Sequence, residues 1–195
     1  MDTRLATADD APAITRLHMR HLPPEMCDLT QLGPRAVERF YVNAIDRELG
    51  AVIAAVEHRA VGGYLLVTRD VHTLFTRALI SGPLDALSFL ASVRPRGLLT
   101  AVWKKVSSGT AQIPSVAEAV YLVIGEELRG RGCGMSLMSA GEAWFRSAAV
   151  DGYECHVHAD NGAVLRLHLG NGMSIKRSYE KGGVRMHVLR KTLMR

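Results

Sequence analysis

Apolar residues recur at helical spacing in two segments near the start of the chain. Residues 7–22 predict a helix that begins at Asp9 or Asp10 and carries Pro12 in its first turn. The apolar face of this helix is expected to contain Ile14, Leu17 and His21. Residues 33–45 predict a second helix by the same spacing, with Val37, Phe40, Tyr41 and Ala44 on its apolar face.

The pattern changes to runs of β-forming residues at position 51. Residues 51–56 and 60–67 predict two strands, and the polar Glu57, His58 and Arg59 between them predict a hairpin. Residues 69–115 are less regular, and we expect a helical insertion there. The insertion either packs on the core or forms a wall of a substrate pocket.

A strand, a glycine-rich loop, a helix and a second strand follow after residue 116, with predicted bounds 117–125, 126–134, 135–150 and 153–159. Such a series predicts a right-handed crossover unit with the loop at the exit of its first strand. The inward face of the helix is expected to contain Leu137, Met138, Gly141, Trp144, Phe145 and Ala148. A short helix within 161–172 and two strands, 174–181 and 184–193, complete the predicted order.

The loop from Arg129 to Gly134, Arg-Gly-Arg-Gly-Cys-Gly, has the composition of an anion-binding site. A loop that leads into a helix presents unpaired backbone N–H groups and the positive end of the helix dipole, and glycine lets an anion approach them closely. A dinucleotide-binding fingerprint is a weak match, and a Walker P-loop is excluded because no Gly-Lys-Ser/Thr follows. The loop predicts a phosphate cradle, with a solvent-exposed glycine turn as the alternative.

Two motifs in this part of the chain resemble those of the GNAT superfamily of N-acetyltransferases. Residues 129–134 match the signature R/Q-x-x-G-x-G/A, and residues 161–173 resemble the pattern N-x-x-A-I-x-L-Y-x-x-x-G-F without insertion or deletion. The resemblance implies an α/β fold with a mixed, mostly antiparallel central sheet flanked by helices. It also implies a single domain over 1–195, with the 69–115 helical insertion placed before the acetyl-CoA-binding strand.

The resemblance implies that the co-substrate is acetyl-coenzyme A (acetyl-CoA). Backbone N–H groups of residues 131–135 would hold its pyrophosphate, Arg129 and Arg131 would add positive charge, and splayed fourth and fifth strands would admit the pantetheine arm. The implied coenzyme-binding residues are Leu122, Val123, Ile124, Arg129, Gly130, Arg131, Gly132, Cys133, Gly134, Met135 and Asn161. For Cys133 a packing role is favoured over chemistry.

Glu118 and His168 are the candidate catalytic residues. Period-two alternation places Glu118 on the same strand face as Ile124, whose backbone N–H the resemblance implies as an oxyanion donor. Glu118 would act as the base, with a solvated glutamate as the alternative. His168 stands where many GNAT enzymes have a tyrosine that protonates the thiolate. It would donate as imidazolium or as neutral imidazole, or it packs while water protonates the thiolate.

His156 and His158 alternate on one strand face with Cys155 opposite, and no third residue has convincing metal-ligand spacing. We therefore expect no metal site. The net charge of +5 is moderate and the basic residues form no long block, which argues against nucleic-acid binding. Three scattered cysteines and the lack of an apolar run of about 20 residues favour a cytoplasmic protein without membrane spans. The oligomeric state stays open, with a homodimer among the alternatives.

The resemblance implies transfer of an acetyl group from acetyl-CoA to a primary amine, by direct attack in a ternary complex. The first expectation for the acceptor is a small metabolite such as an amino sugar, because residues 29–45 are similar to a GNAT subgroup linked with polysaccharide biosynthesis. A protein or peptide amine is the second expectation. A non-catalytic acyl-CoA-binding module is the alternative outside enzyme chemistry.

Overall fold

The computed structural model describes residues 1–79 and 116–193 of the chain. Their strands are β1 (Asp2–Leu5), β2 (Ala51–Glu57), β3 (Ala60–Thr68), β4 (Glu118–Ile124), β5 (Gly152–His158), β6 (Ser174–Lys181) and β7 (Val184–Thr192). Their helices are α1 (Ala11–His21), α2 (Asp28–Gln31), α3 (Pro34–Asp46), α4 (Val71–Leu79), α5 (Cys133–Ser147) and α6 (Gly162–Gly170). The predicted elements outside the insertion occur in the predicted order, and β1 and α2 are two elements that the sequence analysis did not predict.

The strands form one seven-stranded sheet in the order β1-β2-β3-β4-β5-β7-β6. Neighbouring strands run antiparallel, except that β4 and β5 are parallel. This parallel pair follows from the chain order, because α5 connects the two strands as a crossover. The predicted mixed, mostly antiparallel sheet flanked by helices is therefore confirmed.

The sheet splits between β4 and β5. The two strands pair through a single residue pair, Glu118 with Glu154, whereas β3 and β4 stay paired from Thr68–Glu118 to Gly63–Ile124. Beside that pair, the Glu154 N–H donates to the Ala117 carbonyl at 2.9 Å. The split therefore opens toward the carboxyl end of β4, as the resemblance implies.

Helices α1, α3 and α4 cover one face of the sheet, and α5 covers the other. On α3 the predicted face is confirmed, since Val37, Phe40, Tyr41 and Ala44 are all buried. On α1 the prediction is partly wrong. The buried residues are Ala11, Ile14, Thr15 and His18, whereas Leu17 and His21 are only half-buried.

Helix α5 begins at Cys133, two residues before the predicted start, because Gly132 adopts a left-handed conformation and ends the loop there. Leu137, Met138, Gly141 and Phe145 are buried as predicted, and Trp144 and Ala148 are half-buried. The absence of a side chain at Gly141 matters, because a Cβ there would lie 2.6 Å from Leu65 Cδ2. The close contact of α5 with the sheet depends on this glycine.

Helix α4 begins the predicted 69–115 insertion, and the remainder of that insertion, residues 80–115, lies outside the described residues. Leu74 and Ala78 bury one side of α4 in the core, and Phe75 stacks on Phe40 of α3 at 5.3 Å between ring centroids. Within residues 1–79 and 116–193, no helix combines the length and the apolar character needed to cross a membrane.

Candidate active site

A cleft of about 710 Å³ lies where β4 and β5 part. One wall comes from α4 and the segment around α2, the floor from β4 and β5, and the remaining walls from α6 and the β6–β7 hairpin. Its lining includes Leu29, Phe75, Glu118, Tyr121, His156, His168, Tyr179 and Lys181. The cleft thus brings both candidate catalytic residues, Glu118 and His168, into one space.

The glycine-rich loop has the conformation of an anion cradle. Gly130 and Gly132 have φ angles of +72° and +78°, which favour glycine, and a Cβ at either would meet no atom within 4 Å. The first N–H groups of α5 point out of the helix, as at any helix start. No described residue accepts a hydrogen bond from the N–H groups of residues 131–135. Open space and bare N–H donors fit a diphosphate.

A glycine is needed at position 134 for a different structural reason. A Cβ there would lie 2.8 Å from Leu167 Cδ2 and 3.2 Å from Ile124 Cδ1. This glycine lets α6 pack against the start of α5. The motif residue is therefore explained by helix packing as well as by the approach of a phosphate.

The two arginines of the loop are both exposed and both have protein partners. Arg131 forms a two-point ion pair with Glu57, at 2.5 and 2.9 Å. Arg129 Nε donates to the Ile124 carbonyl at 3.2 Å, and its Nη2 lies 3.3 Å from His21 Nδ1. Arg131 would have to release the Glu57 carboxylate before its guanidinium could pair with a phosphate.

Cys133 is buried, with 1% of its surface exposed, and burial raises the pKa of its thiol. Burial therefore outweighs the acidifying effect of the Arg131 charge, and the side chain packs in the core as favoured from the sequence. Asn161 lies at the cleft and caps α6, with its side-chain oxygen accepting from the Val164 N–H at 3.2 Å. Its role toward the coenzyme stays a prediction.

The three predicted pantetheine neighbours on β4 face different ways. Leu122 and Ile124 pack on the α5 side of the sheet, and Leu122 also lines the cleft. Val123 is buried on the opposite side, with α1 and α3. Any contact between Val123 and a ligand in the cleft would therefore use its backbone.

A β-bulge in β4 corrects the predicted orientation of Glu118. Tyr121 pairs with Leu66 and Ala119 pairs with Val67, so that Val120 is an extra residue in the strand. Val120 and Tyr121 both pack on the α1 side, while Ala119 packs on the α5 side. The bulge places Glu118 on the α1 side, opposite Ile124. The predicted orientation of the Glu118 side chain is therefore wrong, although Glu118 does line the cleft.

Burial, and then the negative charge of Glu154, raise the pKa of Glu118 to about 7. Burial also acts to raise the pKa of Glu154, but its hydrogen bonds to Lys176 and Arg190 prevail and lower it. Glu154 therefore stays ionised beside Glu118. The result is a carboxylate that can exchange a proton near neutral pH.

His168 is buried on α6, with 3% of its surface exposed, and burial lowers its pKa to about 4. The imidazolium donor expected from the reference pKa is therefore not the form present at neutral pH. The Nδ1 atom of His168 has no hydrogen-bond partner among the described residues. Neutral His168 can offer a hydrogen bond to a ligand in the cleft.

His156 and His158 both line the cleft, and Cys155 of the same strand is buried. His156 Nδ1 lies 2.7 Å from the Tyr179 hydroxyl. In the part of the chain that the structure describes, no three His, Cys, Asp or Glu side chains are grouped to hold a metal ion.

Sequence reasoning missed a buried polar cluster beside the cleft, made of His18, Tyr41, Tyr64, Cys27 and Tyr121, called here the His18 cluster. Cys27 and Tyr121 line the cleft, and the other three side chains are fully buried. The spacing of His18, four residues after Ile14, could have placed it on the buried face of α1.

Comparison with known proteins supports the fold through structure alone. No protein-family model and no curated protein matches the sequence. A ribosomal-protein-alanine N-acetyltransferase from Brucella melitensis superposes with a TM-score of 0.65 at 18% identity, over 99% of this chain and 100% of its own. A GNAT-family acetyltransferase from Streptococcus pneumoniae superposes with a TM-score of 0.63 at 16% identity, over 99% of each chain.

The chain has the GNAT fold. A third solved structure, an acetyltransferase from Salmonella typhimurium with its cofactor acetyl-CoA, matches with a TM-score of 0.64 at 14% identity, over 99% of this chain and 94% of its own. The fold that the two GNAT-like motifs implied is confirmed by these superpositions. At sequence identities of 14%, 16% and 18%, these superpositions show the fold and do not identify the substrate.

Proposed function

We propose that the protein is an N-acetyltransferase that moves an acetyl group from acetyl-CoA to a primary amine of a small metabolite. The observation that carries this proposal is the cleft at the split between β4 and β5. A glycine-rich helix start lies near the outer end of β4, and a carboxyl group with a pKa of about 7 lines the cleft. The glycine loop, which contacts Ile124 through Gly134, suits a diphosphate, and the cleft suits proton transfer from an amine. None of residues 129–135 lines the cleft itself.

The glycine loop and β4 would hold the co-substrate. Bare N–H groups of residues 131–135 would donate to the pyrophosphate, with the dipole of α5 adding positive potential. The pantetheine arm would lie in the split, where β4 has no strand partner on one edge. Its amide groups could there replace the missing strand hydrogen bonds.

Glu118 would take the proton that the amine loses. At pH 7 about half of this carboxyl group is ionised, given its pKa of about 7. The neutral amine would attack the acetyl carbonyl, forming the N–C bond, and a β4 backbone N–H near Ile124 would stabilise the oxyanion. The C–S bond then breaks and coenzyme A leaves as a thiolate. That thiolate would receive a hydrogen bond from neutral His168 and its proton from water.

A thiol-release assay with acetyl-CoA tests the proposal across amino sugars, simple alkylamines and peptides. The expected result is turnover of small amines that falls when Glu118 is replaced by Gln. Turnover of peptides alone would move the acceptor to a protein amine. Binding of coenzyme A without turnover of any amine, in the wild type and in Glu118→Gln alike, would favour the non-catalytic module instead.

A further inference from the structure

The His18 cluster connects the core beneath α1 with the cleft. Tyr41 OH, Tyr64 OH and His18 Nδ1 form a triangle in which each pair lies 2.8 Å apart. His18 Nε2 lies 3.5 Å from Cys27 Sγ, and Cys27 Sγ lies 3.5 Å from Tyr121 OH. His18, Tyr41 and Tyr64 are fully buried, so their polar hydrogens must find acceptors inside the protein.

The triangle fixes which nitrogen of His18 carries the hydrogen. Burial lowers the pKa of His18 to about 4, so the ring is neutral at pH 7 and carries one hydrogen. Tyr41 donates to Tyr64, and Tyr64 then needs an acceptor for its own hydrogen. His18 Nδ1 is that acceptor only if it is unprotonated. If Nδ1 carried the hydrogen, the buried Tyr64 donor would have no partner in the triangle.

The same reasoning sets the order of the remaining hydrogens. With Nδ1 unprotonated, His18 Nε2–H donates to Cys27 Sγ, and Cys27 S–H donates to the Tyr121 oxygen. Cys27 is the one hydrogen-bond partner of Tyr121 within residues 1–79 and 116–193. Burial raises the pKa of Tyr121 well above its usual value, so its hydroxyl keeps its hydrogen. That hydrogen is left to point into the cleft.

Tyr121 packs on the α1 side of β4, and the glycine loop leads into α5 on the other side, so the proposed function leaves the side of Tyr121 to the acceptor. Its ring packs with α1 and α4, at 5.0 Å from the His18 ring and 6.3 Å from the Phe75 ring. Leu122 and Ile124 lie on the opposite side, toward α5 and the glycine loop. Because the bulge at Val120 turns Glu118 toward the α1 side as well, Tyr121 shares its side with the proposed base.

Resting on the proposed function, we propose that Tyr121 selects the acceptor by donating a hydrogen bond to an oxygen atom near the acceptor's amine. The acceptor class is then an amine with a neighbouring hydroxyl or carbonyl oxygen, such as an amino alcohol, an amino sugar or an amino-acid derivative. His18 and Cys27 are positioning residues, because the order of their hydrogens directs the Tyr121 hydroxyl outward. A site built to hydrogen-bond a substrate oxygen discriminates strongly against the analogue that lacks it.

The test compares two acceptors that differ by one hydroxyl group, 2-aminocyclohexanol and cyclohexylamine, by their kcat/KM with acetyl-CoA. The wild type is expected to prefer 2-aminocyclohexanol, and Tyr121→Phe is expected to reduce that preference about tenfold by slowing only the hydroxylated amine. An unchanged preference would overturn the proposal. An equal loss for both amines would also overturn it, because Tyr121 would then contact the acetyl group.

Failure of this inference differs from failure of the proposed function. If the wild type acetylates amines but Tyr121→Phe leaves the preference unchanged, the inference alone fails. If the wild type acetylates neither these amines nor any member of the amine panel, the proposed function fails, and the inference that rests on it fails as well.

Substitutions within the cluster test the positioning role. Cys27→Ala breaks the connection and is expected to lose most of the preference, whereas Cys27→Ser keeps a donor and an acceptor and is expected to retain it. Tyr41→Phe is the matched control, since it removes a buried hydroxyl but leaves Tyr64 donating to His18. It is expected to lower the melting temperature without changing the preference. An equal effect of all three variants on the preference would reject the positioning role.

Discussion

Two buried histidines on different sides of the cleft differ in how their ring nitrogens are satisfied. Burial lowers the pKa of both His18 and His168 to about 4, and both are neutral at physiological pH. Both nitrogens of His18 have partners, with tyrosine hydroxyls at Nδ1 and a thiol at Nε2. His168 Nδ1 has no partner among the described residues.

We expect this difference to distinguish a structural role for His18 from a ligand-binding role for His168. Buried polar groups in proteins are almost always hydrogen-bonded, and an unpaired one needs a specific explanation. The partners of His18 lie within the protein, so this ring supports the wall of the cleft. On the proposed function, the unpaired nitrogen of His168 is expected to bond a ligand in the cleft. Glu118 lines the space between these two walls, and the chemistry is expected there.

The largest expected effect is on catalysis. Glu118→Gln removes the base and is expected to lower kcat about 10²- to 10⁴-fold in the thiol-release assay. The pH dependence is measured with an aromatic amine, which stays neutral over the whole pH range of the assay. The wild-type rate should rise with pH through about 7, where Glu118 loses its proton, and the Glu118→Gln rate should lack this rise. Glu25→Gln, at another carboxylate of the cleft, is the control. An equal loss from Glu25→Gln would contradict the assignment of Glu118.

The histidine comparison is tested by replacing each ring with leucine. His18→Leu removes the acceptor of the buried Tyr64 hydroxyl and the donor to Cys27, and it is expected to lower the free energy of unfolding by roughly 3 kcal/mol. His168→Leu removes an unpaired polar atom and is expected to change that free energy by less than about 1 kcal/mol while slowing turnover. Urea unfolding measures both. Equal destabilisation by the two substitutions would contradict the assignment of a structural role to His18 and not to His168.

A smaller effect links Glu118 to stability. Its folded-state pKa of about 7 lies above the unfolded reference of 4.5, so its contribution is fully present below pH 4.5 and is lost as the pH rises through 7. Glu118→Gln cannot ionise and should unfold like the wild type at pH 4. At pH 8 it should be more stable by about 2 kcal/mol, discounted for the partial exposure of this side chain. A pH-independent difference would contradict the raised pKa.

The smallest expected effect concerns the phosphate cradle and uses two glycines with the same φ angle. Gly132 and Gly183 both have φ of +78°, and a Cβ at either would meet no atom within 4 Å. Alanine at each is therefore expected to cost a similar amount of stability, about 1 kcal/mol. Only Gly132→Ala should also weaken coenzyme A binding, about tenfold, since its methyl group would lie in the cradle. Equal binding by both variants would argue against the cradle.

The parts of the fold that sequence predicted well are those whose signal is local. The β2–β3 hairpin and the glycine-rich loop before α5 are each encoded within a few consecutive residues. The orientation of the Glu118 side chain is not encoded locally, because the bulge at Val120 depends on the pairing of β4 with β3. The His18 cluster and the Arg131–Glu57 ion pair join residues far apart in sequence, and their contacts appear only when the sheet is assembled.

Calorimetric titration of the wild-type chain with acetyl-CoA and with coenzyme A tests the central claim most directly. The account predicts a single saturable site for each, with affinity that falls as salt is raised, because phosphate contacts at the glycine loop are electrostatic. Absence of binding for both ligands, in a folded sample, would contradict the account.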